Sequence, residues 1–416
     1  MFLTDPTLDL LSQEAIKRSK DLMEESEKLR DRNERASRRR VARLFKDPKA
    51  IETTITITDE VMRISSVKSS ARIFRRAAKK ASIVGFGAID AIGLHMIGFL
   101  SRFFPGPIVS LVHFRVRGLS SDLILPFESD QLSGHLSDRK EIGISLNINV
   151  LGEAVLGHNE ADQRFRLILE MMQRPEVNYI SVKLSAIVAQ LVIIDTDGSI
   201  DRAAEKMRIL YREAQKQGVF INLDMEEYRD LPMTVAAFIR VLDEPEFISM
   251  NAGIVLQAYL PESHQFFNEL VEWSKKRHAI SGASIKVRLV KGANLAMERA
   301  EAELHGWEAA PYGSKAEVDA SYLRLVDVAL RKENSKAIRI GIASHNLFHM
   351  SWALEVAKSR DVADQIDIEM LEGMANAEAL AVTRAGQAVL LYTPVTRKDD
   401  FAAAVAYLVR RLDENT

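Results

Sequence analysis

An eight-stranded parallel (β/α) barrel of the TIM type, preceded by a mainly helical N-terminal region, is the fold class this 416-residue sequence predicts. Three observations lead there. From residue 141 onward, eight short β-rich runs recur, and amphipathic helical stretches separate them. Alternating strand and helix implies a parallel sheet, and eight such units in about 270 residues match the size of a closed barrel. The polar residues also fall at the C-terminal ends of the runs, where barrel chemistry sits. A doubly wound sheet would normally carry a glycine fingerprint after its first strand. The only near match, GFGAID from Gly85, has Asp90 in place of the third glycine and no strand before it.

Residues 1–140 read as a helical arm and wrapping region ahead of a 141–416 barrel domain. The opening MFLTDPTLDLLSQEAIKRSK lacks the basic start and long apolar core of a secretory signal. Residues 30–49 carry Arg38, Arg39 and Arg40, but acids interleave from Glu24, as on a solvated helix rather than a nucleic-acid patch. TDEVMRISS reads as a capped helix start at Thr58. SIVGFGAIDAIGLHMIGFL, residues 82–100, approaches the length of a membrane span. It contains Asp90 and His95 and runs into FFPGP, which favours a buried or membrane-touching helix.

The barrel strands are expected at 143–149, 178–183, 218–224, 252–258, 284–290, 337–344, 365–370 and 387–392. EADQRFRLILEMMQR, SIDRAAEKMRILYREAQKQ, SHQFFNELVEWSKKR, EVDASYLRLVDVALRKEN and LFHMSWALEVAKSR are the clearest helices between them. The closing segment YLVRRLDENT, residues 407–416, reads as a helix whose Leu408 and Leu412 pack inward. Read by itself, it carries a surface ion pair. Arg410 and Arg411 beside Tyr407 would also suit a small carboxylate, because each guanidinium offers a planar fork of donors.

Composition narrows the chemistry. The chain is 47% hydrophobic, enough for a sizeable core, and its net charge of −2 calls for no nucleic acid. With no cysteine there can be no disulfide, thiolate metal site or catalytic thiol, and a reducing cytoplasm fits. No His-x-His or HExxH spacing suggests a metal, and no serine nucleophile elbow is present. The strand ends supply Asn149, Glu153, Lys183, Asp224, Gln257, Arg288, Lys291, His345, Asn346, Glu369 and Tyr392. Singly, Lys183 could cap a strand, Asp224 the MEEYRD turn and His345 a helix start. Together with Arg410 and Arg411 they make a predominantly cationic pocket, suited to a phosphorylated cofactor and a carboxylate substrate.

SVKLSAI (181–187), LDMEE (223–227), LQAYL (256–260), VRLVKGA (287–293), ASHN (343–346), LEGM (371–374), LYTPV (391–395) and YLVRRLDEN (407–415) fall in order at these strand ends. In this the chain resembles the proline dehydrogenase domain of the bifunctional proline utilization A family, clearly from LGEAVLG (151–157) to its last residue. The resemblance implies FAD, oxidation of L-proline to Δ1-pyrroline-5-carboxylate with hydride passing to flavin N5, and a membrane quinone as electron acceptor. It implies a cytoplasmic protein, peripheral on the inner face of the membrane.

Position by position, the resemblance has Arg410 and Arg411 clamp the proline carboxylate, while Glu153 holds an arginine in place and Glu414 lies beside the substrate. Tyr392, Tyr407 and Leu289 would line the ring pocket, with Lys183 and Asp224 beneath it. Gln257, Arg288, Lys291, Gly292, Ala293, Lys315, Ser344, His345, Asn346 and Glu369 would serve the flavin. Two positions depart from the family pattern: Asn294 and Leu295 follow KGA where members often have aromatics, and Glu369 stands where many have glutamine. A bifunctional member would continue into an aldehyde dehydrogenase half, so such a half or partner is expected outside this chain. Two other readings compete: a lysine Schiff-base barrel of the aldolase kind built on Lys183 or Lys291, and a non-catalytic membrane- or partner-binding module around residues 82–113.

Overall fold

The computed structural model describes residues 6–44, 46–62, 64–120, 124–128, 130–152, 155 and 157–397. Nine strands form one sheet: β1 (Leu125–Pro126), β2 (Ile144–Val150), β3 (Tyr179–Lys183), β4 (Phe220–Asp224), β5 (Ala252–Gln257), β6 (Ile285–Val290), β7 (Ile338–Ala343), β8 (Ile366–Leu371) and β9 (Val389–Thr396). Strands β2 to β9 follow one another around the sheet, and β9 pairs with β8 on one side and neighbours β2 on the other. The eight-stranded barrel is therefore closed, as the alternating pattern predicts.

Differences from the expected strands are local. β4 begins at Phe220 rather than 218, because Gly218 (φ 70°) caps the helix Thr196–Gln217 in the left-handed conformation. β9 runs on to Thr396, where Val395 and Thr396 pair in parallel with Leu125 and Pro126 of β1. No alternation marked that two-residue strand in the sequence.

Each expected helix forms, at His158–Met172, Thr196–Gln217, Ser263–Ser281, Lys315–Ala329 and Leu347–Ser359. Local chemistry fixes their ends. The Asp195 carboxylate accepts from Gly198 N, and Ser314 with Glu317 forms a reciprocal capping box ahead of Lys315. Outward-facing strand residues such as Ile148, Ile180, Leu223, Ile254, Val287, Leu289, Ile340, Ile342 and Ile368 are buried and make the core between sheet and helices.

Two compact units divide the chain: residues 1–28 with 130–394, and residues 29–129 with 395–416. In the first, the barrel is joined by the N-terminal helix Pro6–Leu29, whose Arg18 lies 2.5 Å from Glu355. In the second, short helices pack around Ile57, Val61, Phe74, Ala77, Ala78, Val112 and Val116. Thr58 does not start a helix. Its hydroxyl donates back to Thr54 O, and residues 57–61 continue the helix Pro48–Thr56 as a π-helical turn. The apolar run 82–100 is broken at Gly87 (φ 83°) into Ile83–Phe86 and Ala88–Leu100. Among the described residues no helix is long and apolar enough to cross a membrane.

Candidate active site

Alternation along the strands turns one set of side chains into the barrel, and here much of that set is polar. Asn147 donates to Ser181, and Arg288 lies within 3.5 Å of the Ser181 hydroxyl. These contacts place Ser181, Lys183, Asn222, Asp224, Lys286, Arg288, Asp367, Glu369 and Tyr392 on the inward faces of their strands. Packing along the outside is what obliges the sequence to alternate. The inward positions were left to chemistry.

Asp224, at the end of β4, is the hub of the upper layer. One carboxylate oxygen pairs with Arg288 and accepts from Asn222 Nδ2 at 3.3 Å; the other accepts the Tyr392 hydroxyl at 2.6 Å. The Arg288 guanidinium also stands 5.1 Å over the Tyr392 ring. Burial works against the Arg288 charge, but the Asp224 and Glu369 carboxylates outweigh it and hold its pKa above the ordinary arginine value. Asp224 therefore does not cap the MEEYRD turn. It fixes a cation and a phenol at the C-terminal mouth.

Next to it, in register with Asp224, Lys183 pairs with Glu226 at 2.7 Å. Gln257, 1% exposed, donates through Nε2 to Glu226 O and faces Tyr259 Oη at 3.4 Å, while its Oε1 has no partner. Arg288 Nε is likewise buried without a partner. Two orphaned polar atoms at the mouth of a barrel mark a place built for a polar ligand. Glu226, Tyr259 and Glu298 are the parts that sequence reasoning missed. Glu298 accepts from Tyr228 N at 2.8 Å and so ties down the loop after β4. Asn294 is buried, and its backbone oxygen accepts from Glu298 N at 3.0 Å. In the same loop burial lifts the Asp230 carboxyl to about 7, with Glu227 adding to the shift.

The KGA turn after β6 owes its shape to Gly292, whose φ of 129° suits only glycine and whose Cβ would overlap the Tyr259 ring. Tyr259 N donates to Lys291 O and Ala258 N to Val290 O, pinning this turn to the end of β5. Lys291 pairs with Asp319, and Lys315 is exposed at the first position of its helix. Leu371 N donates to His345 Nε2, which sets the tautomer with its proton on Nδ1. Ser344 Oγ accepts from Asn346 N, and Asn346 Oδ1 caps Leu347–Ser359 through Phe348 N and His349 N. The Asn346 side chain is therefore committed to the cap, and the helix N-terminus itself faces the same strand end.

Two expected residues sit elsewhere than the mouth. Leu289 is fully buried and alternates with Arg288, so it faces the outer core; the apolar residue sharing the Tyr392 level is Leu371, its register partner. Glu369 lies inside the barrel, 2% exposed, 2.7 Å from Lys286 and 3.4 Å from Arg288. Glu153, Tyr407, Arg410, Arg411 and Glu414 lie outside the described residues. No group of three or more His, Asp or Glu suited to a metal occurs among the described residues.

The sequence model of the proline dehydrogenase family matches residues 132–416. Among solved structures the chain is similar to proline utilization A from Bdellovibrio bacteriovorus, with a TM-score of 0.81 and 26% identity over 97% of this chain and 41% of that one. Proline utilization A from Corynebacterium freiburgense is 50% identical, with a TM-score of 0.69, over 72% of this chain and 31% of that one. The bifunctional protein PutA of Escherichia coli is 28% identical over 244 residues, 57% of this chain and 18% of that protein. The chain thus spans less than half the length of each of these relatives.

Proposed function

The chain belongs to the proline dehydrogenase family, and from that premise we propose that it oxidises L-proline to Δ1-pyrroline-5-carboxylate with FAD as cofactor and a membrane quinone as final acceptor. The observation that carries this reading is the Asp224–Arg288–Tyr392 constellation at the C-terminal mouth, beside the unpartnered Gln257 Oε1 and Arg288 Nε. A flavin ring edge is rich in donors and acceptors, and these atoms lack a counterpart of that kind. The cationic Lys291 and Lys315, with Ser344, His345 and the N-terminus of Leu347–Ser359, suit the ribityl chain and phosphates.

FAD, when bound, would supply the two-electron acceptor for the hydride on the carbon beside the proline nitrogen. The protein's own task is then orientation. Tyr392, held by Asp224, forms a wall against the substrate ring, and Leu371 forms its apolar neighbour. Lys183 is kept in place by Glu226, and Arg410 and Arg411 would hold the carboxylate through their forks of donors. Arg288 offers a fixed cation where negative charge develops.

Schiff-base chemistry is disfavoured because both of its candidate lysines, Lys183 and Lys291, are engaged by the carboxylates of Glu226 and Asp319. Peripheral membrane contact is supported by exposed Ile83, Val84, Ile89, Met96, Phe99 and Phe114 in the helical unit, which also carries the arginine-rich helix Arg32–Leu44. An aldehyde dehydrogenase half or partner would complete the bifunctional arrangement of the relatives.

The deciding measurement is the absorbance spectrum of FAD-reconstituted protein before and after anaerobic addition of L-proline. The flavin band is expected to bleach. A protein that takes up no flavin, or whose flavin band ignores proline, sinks the reading, and borohydride trapping of a carbonyl substrate would then speak for the lysine alternative.

A further inference from the structure

A line of charges runs from the exposed Arg339 through the barrel interior up to Arg288, and the part of it below Arg288 has no role in the proposed oxidation. Arg339 Nη2 lies 3.2 Å from Asp367 Oδ1, whose other oxygen is 2.8 Å from Lys286 Nζ. Lys286 Nζ is in turn 2.7 Å from Glu369 Oε1, and Glu369 Oε2 is 3.4 Å from Arg288 Nη1. Lys286 and Glu369 are 3% and 2% exposed. A carboxylate this deep is costly unless an opposite charge accompanies it. Where an amide would fit without a counter-charge, Glu369 needs one.

Arg288 could supply it, but it is already bound to Asp224 on its other side. The nearer cation is Lys286, and the space for it is made by Gly341 on the strand between them. A Cβ at Gly341 would overlap Glu369 Oε1 and lie 3.1 Å from Lys286 Cε. Gly341 has no positive φ to explain it, so its missing side chain is a matter of room. Glu369 on β8, Gly341 on β7 and Lys286 on β6 therefore form one unit across three neighbouring strands.

We infer that Lys286 is a positioning residue: by neutralising Glu369 it leaves the Arg288 guanidinium committed to Asp224 and the mouth, and so sets how tightly, and at what potential, that mouth holds an isoalloxazine ring. This rests on the flavin reading above. Burial works against the Lys286 charge, yet Glu369, followed by Tyr179 and Asp367, outweighs it and holds its pKa above the ordinary lysine value. Without that ammonium, Glu369 has only Arg288 to turn to. The guanidinium would be drawn toward Glu369, and the net charge at the mouth would become more negative.

Lys286→Met, Glu369→Gln and the double variant test this. Each is measured for FAD affinity, by fluorescence titration of the flavin-free protein, for the midpoint potential of bound flavin, and for the urea midpoint of the flavin-free protein. Lys286→Met is expected to weaken FAD roughly tenfold and to lower the potential by about 30 mV, which is a tenfold change for a two-electron couple. Glu369→Gln moves the potential upward, and the double variant returns both readings to wild type. If Lys286→Met lowers the urea midpoint while FAD affinity and potential stay put, the lysine is merely structural and the inference falls. If Lys286→Met does not fold, Glu369→Gln and the double variant decide together: Glu369→Gln must raise the potential and the folded double variant must restore it, and a Glu369→Gln potential equal to wild type overturns the inference. A wild type that binds no FAD would count against the flavoenzyme reading instead of against Lys286.

Discussion

In the barrel unit, charged side chains lie inside: Lys286, Arg288, Asp224 and Glu369 are all buried. In the helical unit apolar side chains lie outside, with Ile89 87% and Phe114 72% exposed. Both arrangements run against the ordinary sorting of residues, and their physical consequences differ. A buried charge must be matched by its neighbours, so the barrel interior is a network in which each member depends on the next. An exposed apolar residue depends on nothing in the fold. Departures from sorting inside the barrel should therefore be expensive to disturb, whereas those on the helical unit should be cheap for stability and visible only when a partner is present.

The largest expected effect comes from removing the hub cation. Arg288→Met strands Asp224, leaves Glu369 to Lys286 alone, and should lower the stability of the flavin-free protein by roughly 3–5 kcal/mol in urea melts, with FAD occupancy falling as well. A variant of wild-type stability would show that the network is not a network. Next, Gly341→Ala inserts a methyl group where Glu369 and Lys286 meet, at about 1–3 kcal/mol. An unchanged melting temperature would mean the pair has slack that the distances conceal.

At the mouth, the effect should appear in selectivity more than in stability. Tyr392→Ser removes a bond to Asp224 and, on the proposed function, opens volume beside the substrate ring. The preference for proline over 4-hydroxyproline, a matter of about 1–3 kcal/mol of packing strain, should narrow when kcat/KM is compared for both substrates. If that ratio does not move, Tyr392 does not touch the ring. Smallest of all, Ile89→Ser with Phe114→Ser should change stability by no more than about 0.5 kcal/mol. The same variant should bind phosphatidylglycerol vesicles more weakly in a flotation assay, and equal binding would remove the exposed apolar face from the membrane.

The sequence by itself determined the barrel. Outward strand positions such as Ile180, Leu223 and Ile340 must be apolar to pack under helices, so period-two alternation and helix amphipathicity are written directly into residue order. It also placed Asp224, Gln257, Arg288 and Tyr392 at one rim, because strand ends in a parallel barrel share a face. Only the tertiary structure decided what each residue meets there. Leu289 and Leu371 are equally apolar in the sequence, and strand parity alone sends one to the outer core and the other beside Tyr392. Asn346 reads as a polar rim residue, and the helix that follows claims its carbonyl oxygen for a cap. The partnership of Lys286 with Glu369 joins residues far apart in the chain across a gap left by Gly341. No local pattern encodes it, because the force that selects it, the cost of a bare charge in a low-dielectric interior, acts through space and has no period along the chain.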